Sequence, residues 1–442
     1  EHGWMIPLLP MMQAILVSTA VTQRMSNDVM TAIARNVLKQ RDQNDPLAGL
    51  REAFYLPPDI LYLDGNSLGV MPHRARQRAM DVITQEWGTK LIHSWVDNDW
   101  LQAPVRVGDK IAALIGAKPG EVIVADSTSI NLFKVLVTAL QANVGRHVIL
   151  SEAGNFPTDL YIMQGLSAFA ADKVSLQTVE SDQIADHLSD DIAVLLLTQV
   201  HYKTGQIQDM KEITRQAHEA GVLVVWDLSH STGSIPVDVN KCDVDFAVGC
   251  GYKFLNGGPG APAYLFVAAR HQNTGLPILS GWFGHEDPFG FSDKYVPAAN
   301  INRFQCGTPS VLAISILECG VDLFACTQIA KLREKSIALS SLFIDLMDEH
   351  CNHLGFELVS PRKSADRGGH VSYAHKHGYG ILQAIKQRGV IGDFRAPDIM
   401  RFGITPMYLR YQDIFDVVDI IGDVMAGNEW NKAEYKVQPS WS

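Results

Sequence analysis

The sequence predicts an α/β fold: a large domain on a central, mostly parallel sheet flanked by helices, then a smaller C-terminal α/β domain. Three observations carry this. Strand-like apolar runs alternate with helical periodicity along most of the chain. At 442 residues the chain exceeds what one hydrophobic core normally serves. Two apolar runs also stop abruptly on residues that carry chemistry. VLVVWDLSHSTG holds Asp227 and His230, and FAVGCGYKFLNGGPG holds Lys253.

Taken in order, residues 1–26 read as an N-terminal extension. Residues 5–21 are nearly uncharged, but no Lys or Arg precedes them as a secretory signal requires. The run is also too short and interrupted for a membrane span, and the natural start is expected near Met25. Residues 27–60 read as a segment packing on the small domain or a partner subunit, with helical periodicity over 29–39. The large domain is expected over 61–325 and the small one over 326–442. Within the large domain a brief strand at 61–63 runs into the turn 64–69, followed by a helix over 72–87. Strands are expected at 121–125, 147–151, 174–179, 192–200, 222–227 and 246–248, and helices at 130–141, 159–169, 181–188 and 210–220. Residues 274–297 form a Gly/Pro-rich loop too long to be idle. Past 325, a helix over 329–347 and strands near Phe356 and His370 make the small domain.

Composition narrows the partners. A formal net charge of −11 disfavours nucleic acid and anionic membrane. The six cysteines (Cys242, Cys250, Cys306, Cys319, Cys326 and Cys351) lack CxxC spacing and read as reduced thiols of a cytosolic protein. No metal-ligand pattern is expected.

The chemistry follows from the two strand ends. Open α/β sheets place ligands at the carboxyl ends of their strands, so Asp227 and Lys253 point into one crevice. A lysine able to form a Schiff base, opposite a carboxylate able to keep a pyridinium nitrogen protonated, is what pyridoxal 5′-phosphate requires. Thr128 and Ser129, between a strand and a helix start, either bind phosphate or cap the helix. Phe156 and Asp159 either face a flat ring and its substituents or make a turn with a helix cap. Trp282 and Thr308 lie on loops that leave the large domain and could hold a phosphate, including one in a neighbouring subunit. Arg401, alone on an apolar segment, needs a carboxylate: a substrate's, held in bidentate fashion, or one of the chain's own.

Five segments in this order, 65–69 (GNSLG), 156–159 (FPTD), 227–231 (DLSHS), 251–255 (GYKFL) and 401–403 (RFG), resemble the kynureninase family of fold type I pyridoxal phosphate enzymes. The likeness runs from about Asn27 to the C-terminus. It implies a fold of the pyridoxal phosphate-dependent transferase type and hydrolysis of L-kynurenine to anthranilate and L-alanine. It also implies a homodimer with active sites at the subunit interface. Lys253 would hold the cofactor and shuttle protons at Cα, Asp227 would pair with the pyridinium nitrogen, and His230 would line the same wall. Tyr252 would reach the phosphate and donate a proton at the attacked carbonyl. Phe156 and Asp159 would contact the ring, Thr128 and Ser129 the phosphate, with Trp282 and Thr308 supplied by the other subunit. Arg401, helped by Asn66 or Ser67, would grip the substrate carboxylate, and Trp95 would wall its aromatic ring. Animal-type members resemble Ser-Asn where this chain has Gly307-Thr308, which with Trp95 implies a preference for unhydroxylated kynurenine. Two other readings stand beside this one. A cysteine desulfurase or selenocysteine lyase would want His before the lysine and a reactive cysteine on a Gly-rich loop. A non-catalytic protein that kept the fold should have lost Lys253 or Arg401.

Overall fold

The computed structural model describes residues 35–171, 173–435 and 437. The expected extension over 1–26 and the start of the helix over 29–39 lie outside these residues; residues 35–43 are helical.

Seven strands form the central sheet: β2 (Val122–Val124), β3 (Val148–Glu152), β4 (Ser175–Val179), β5 (Ile192–Thr198), β6 (Leu223–Asp227), β7 (Phe246–Gly249) and β8 (Tyr264–Val267). Their order is β2-β8-β7-β6-β5-β3-β4. Only β8 runs against its neighbours, so the sheet is mostly parallel. β5 shows why an unbroken apolar run forms here. Every residue of IAVLLLT is buried, because helices cover both faces of a parallel sheet. Val194 and Leu196 pack in one core with the helices Thr128–Ala142 and Pro157–Phe169, while Leu195 and Leu197 pack in the other with Ala103–Ile115. The period-two alternation of a strand divides them.

A second sheet is antiparallel, in the order β12-β13-β10-β9, from β9 (Glu357–Leu358), β10 (His370–Ala374), β12 (Asp393–Arg395) and β13 (Ile399–Gly403). The helices Ile329–Cys351 and Tyr411–Ala426 pack on each other beside it. The first strand, β1 (Leu61–Tyr62), pairs in parallel with β11 (Val390–Ile391) rather than with the central sheet. Residues 35–51 also bind this C-terminal part. Asp42 accepts from the Tyr411 and Gln412 backbone at 2.7 and 3.0 Å, and Lys335 pairs with Asp45 at 2.7 Å.

Several expected elements differ. The helix over 181–188 is two 3₁₀ turns, Ser181–Gln183 and Ala185–His187, since so short a polar stretch cannot offset the cost of helix nucleation. The helix over 72–87 is α only from His73 to Asp81 and then widens to a π-helix, Val82–Lys90. Strand β8 and the helices Ala103–Ile115 and Val311–Asp322 were not foreseen. No single helix among the described residues is long and apolar enough to cross a membrane.

Asp245, buried after β6, gathers His218 Nε2, His271 Nε2 and Arg270 Nη2, each at 2.8 Å, and the Val224 amide at 2.9 Å. The hydrogen bond to Asp245 raises the His218 pKa. A raised histidine stabilises the fold below its unfolded value and loses that contribution as pH rises through its folded value. Between pH 6 and 8 the unfolding temperature should therefore fall by a component that His218→Gln lacks. Because His218 is half-buried, that component is at most about 1 kcal/mol. Equal pH slopes in the two proteins would refute this.

Candidate active site

The carboxyl ends of β5, β6 and β7 and the first turns of two helices converge on one cavity of about 130 Å³. It is lined by Ser127, Thr128, Ser129, Phe156, Thr158, Asp159, Thr198, Tyr202, Asp227, Ser229, His230, Tyr252 and Lys253. Asp227 is the last residue of β6; its Oδ1 accepts from the Ser229 amide at 2.7 Å. Lys253 lies in the turn after β7. Its Nζ is 3.0 Å from His230 Nε2 and 5.7 Å from the centre of the Phe156 ring. The turn 64–69 is fitted against this lysine. The Gly69 amide donates to Tyr252 O at 2.8 Å, and a Cβ at Gly69 would lie 2.3 Å from Lys253 O, so only glycine permits the approach.

The electrostatics are those of a buried charged site. Burial raises the Asp227 pKa, and burial together with the Asp227 charge raises that of Asp159 well above the carboxylate range. Asp159 Oδ2 accepts from Thr198 Oγ1 at 3.4 Å, but its Oδ1 has no partner among the described residues. Burial and the neighbouring Lys253 hold His230 well below its usual value, hence neutral. Burial pushes the Tyr252 phenol up, so it carries its proton at working pH.

The helix Thr128–Ala142 is capped by Ser127, whose side chain accepts from Ile130 N. Thr128 and Ser129 are therefore its first two residues, with hydroxyls and free amides at the helix start, where phosphate binds. A second cavity of about 560 Å³ shares Ser127, Thr128 and Tyr252 with the first and includes Thr308 of the same chain.

Arg401 is 1 % exposed and already engaged. Its Nε donates to Asp393 Oδ1 at 2.7 Å and its Nη2 donates to Asp393 Oδ2. Ser67 Oγ (3.1 Å) and Tyr202 O (2.6 Å) accept two further N–H groups. Asp393 and Arg401 sit directly opposite each other across β12 and β13. The bidentate grip on a substrate carboxylate is thus taken by the chain's own acid, leaving one guanidinium N–H. Ser67 donates to the same Asp393 at 2.6 Å. Asn66 is wholly buried, with neither amide atom partnered among the described residues.

Trp95 and Trp282 line neither cavity. Trp95 packs on Trp100 at 5.5 Å and on Phe283 at 6.1 Å, and Trp282 packs on the same Phe283 at 4.3 Å. The two positions, read separately from sequence, form one aromatic cluster. Sequence reasoning did not single out Thr198, Tyr202, His370 or Asp393. A hairpin register for residues 393–403 would have exposed the Asp393–Arg401 pair; the others depend on tertiary packing.

The residues present fit pyridoxal phosphate. Two buried carboxylates, one with an orphaned oxygen, call for a cationic N–H donor between them. Lys253, Phe156 and the helix start at Thr128 supply an amine, a ring face and a phosphate seat around the same space.

Comparisons with known proteins agree. A family model described as the kynureninase C-terminal domain matches residues 332–421. The chain is 45% identical over 411 residues to a kynureninase of Pseudomonas fluorescens, covering 92% of this chain and 99% of the relative. It is 49% identical over 389 residues to a kynureninase of Deinococcus radiodurans, covering 87% and 94%. Solved structures share the fold at lower identity. A cysteine desulfurase from Thermococcus onnurineus NA1 superposes with a TM-score of 0.73 at 18% identity, over 86% of this chain and 98% of that one. A C-DES mutant with glycine covalently linked to the PLP cofactor gives 0.73 at 17%, over 84% and 99%. With two relatives above 40% identity along nearly their whole length and the site geometry in agreement, the chain belongs to the kynureninase family.

Proposed function

We propose that this protein is a pyridoxal 5′-phosphate-dependent hydrolase that cleaves the Cβ–Cγ bond of L-kynurenine, giving anthranilate and L-alanine in tryptophan catabolism. The observation that carries this reading is the meeting of Lys253 with His230, Asp227 and Asp159 in one buried cavity. When bound, the cofactor supplies an electron sink for charge developing at Cα and Cβ. Asp227 and Asp159 hold the ring nitrogen end, Phe156 a ring face, and Thr128 and Ser129 the phosphate, with Thr308 on the adjoining wall.

The chain's own groups then divide the proton work. Lys253 Nζ takes the proton from substrate Cα, and neutral His230 accepts a hydrogen bond from that amine through Nε2. Tyr252, kept protonated by burial, donates to the carbonyl oxygen as water attacks, an effect typically worth about 10²–10⁴-fold. The water's hydroxyl ends on the anthranilate carboxyl, a proton ends on Cβ, and Lys253 returns its proton to Cα, completing alanine. Arg401 offers its remaining N–H to the α-carboxylate, with Ser67 beside it.

Fluorescent anthranilate released from kynurenine tests this directly; release of sulfur from cysteine instead would favour the desulfurase reading. Cys351 weighs against that alternative, being fully buried with its thiol pushed up to about 11 by burial. Unhydroxylated kynurenine is expected to be preferred over 3-hydroxykynurenine, and a part in NAD biosynthesis and a cytoplasmic location accompany the reading.

The working unit is a homodimer. Trp87, Leu91, Ile92 and Val96 are each at least 60 % exposed, and Trp282, Phe289 and Phe291 are exposed as well. Such an apolar set suits an interface, and it would place the Trp95–Phe283–Trp282 cluster in a partner's site. Dilution to monomers should weaken cofactor retention; a fully active, cofactor-loaded monomer would refute the shared site.

Arg401→Ala should raise KM for kynurenine and lower stability by about 3–5 kcal/mol, because Asp393 stays buried without its main cation. An unchanged KM would show that the carboxylate is held elsewhere.

A further inference from the structure

His370 opens β10 and is completely buried, yet neither ring nitrogen has a hydrogen-bond partner among the described residues. Such a group calls for an explanation, because each unmet buried donor or acceptor costs about 1–3 kcal/mol. Its position supplies one. In the antiparallel pair of β10 and β13, His370 lies opposite Gly403 and Ser372 lies opposite Arg401. Directly opposed residues share a face, so His370 stands on the face that carries Arg401. Its ring centre is 5.5 Å from that of His230, whose other side meets Lys253. Asn66 sits on the same spot, since a Cβ at Gly403 would lie 2.2 Å from Asn66 Oδ1. The amide of Asn66 and His230 Nδ1 are likewise buried, with no partner among the described residues. Unmet donors and acceptors thus gather behind His230, on the face that carries Arg401, adjoining the cavity of Lys253 without being among the residues that line it.

Resting on the hydrolytic reading above, we propose that His370, with Asn66, holds the water consumed in the reaction and orients it toward the substrate carbonyl. A bound water needs two to four polar partners. A neutral imidazole and a carboxamide supply both donors and acceptors. Burial and the nearby Arg401 hold His370 near 3, so it is neutral and keeps a lone pair for a water O–H. The water oxygen bonds to the carbonyl carbon as the Cβ–Cγ bond breaks. One water proton reaches Cβ, and the new carboxylic acid ionises. His370 positions that water and takes no net proton.

The test uses the full-length enzyme loaded with cofactor. His370→Phe should lower kcat about 10²-fold, the scale of lost positioning, while KM for kynurenine and the affinity for L-alanine stay unchanged. His370→Gln, which restores a donor and an acceptor, should recover part of kcat. Should the phenylalanine variant not fold, imidazole added to His370→Ala should restore turnover. Undiminished kcat in His370→Phe overturns the proposal. So does a parallel loss of alanine affinity, which would mean contact with the amino acid itself, or the failure of both glutamine and imidazole to recover turnover. A wild-type enzyme that releases no anthranilate would sink the functional reading instead, separately from these outcomes.

Discussion

Lys253→Ala should lose turnover by at least about 10³-fold, since on the proposed function it removes both the amine that anchors the cofactor and the base beside Cα. The visible absorption band of the loaded wild-type protein should vanish with it. The fold should survive. Among the described residues, Lys253 Nζ makes one side-chain hydrogen bond, to His230, and the backbone bonds around it, Gly69 N to Tyr252 O and Asn256 N to Lys253 O, do not involve the side chain. An alanine variant that kept both the band and the activity would end the assignment. Because the lysine charge also depresses the His230 pKa, the variant should release that histidine to titrate at higher pH, which is readable in the cofactor-free protein.

Asp227→Asn is the second large effect. The amide keeps the shape and can accept from the Ser229 amide, but carries no charge to hold a ring nitrogen protonated. Turnover should fall by about 10²–10³-fold, the scale of removing one preorganised electrostatic group, with some cofactor retained. Stability should move the other way in the cofactor-free protein. Asp159 is raised by burial and by the Asp227 charge. A raised carboxyl favours the fold while protonated and penalises it as pH climbs from the unfolded value toward the folded one. Removing the Asp227 charge relieves that penalty. The variant should therefore unfold at a higher temperature than wild type at pH 7–8, with the gap closing toward pH 4. A variant that was both fully active and no more stable would remove the argument that this acid pair is strained for function.

How much of this was legible in the sequence depended on whether a signal was local. Asp227 and Lys253 were readable because parallel strands are buried on both faces: their apolar runs end where the sheet ends, and the polar residues at or just past that end mark the crevice. β8 was missed because AYLFV follows a glycine-rich turn and reads like that loop's exit until its antiparallel pairing with β2 and β7 is seen. Arg401 was found as a lone cation on an apolar strand, but its partner was not. That a buried arginine is also held by its own chain depends on hairpin register, which places Asp393 opposite it. His370 gave no signal at all. A histidine at the start of a short strand looks ordinary until the face it shares with Arg401 is known.

The pairing of β1 with β11 has a wider bearing. Leu63 N donates to Ile391 O, Gly403 N donates to Leu63 O, and six residues later Gly69 N donates to Tyr252 O. The peptide from 63 to 69 is thus a tether stitched at one end to the C-terminal sheet and at the other to the loop bearing the reactive amine. A displacement of the C-terminal sheet relative to the Lys253 loop would have to be taken up by this peptide, with Asn66 at its middle. A loosening insertion between 63 and 69 should therefore uncouple the position of the Lys253 loop from that of the C-terminal sheet.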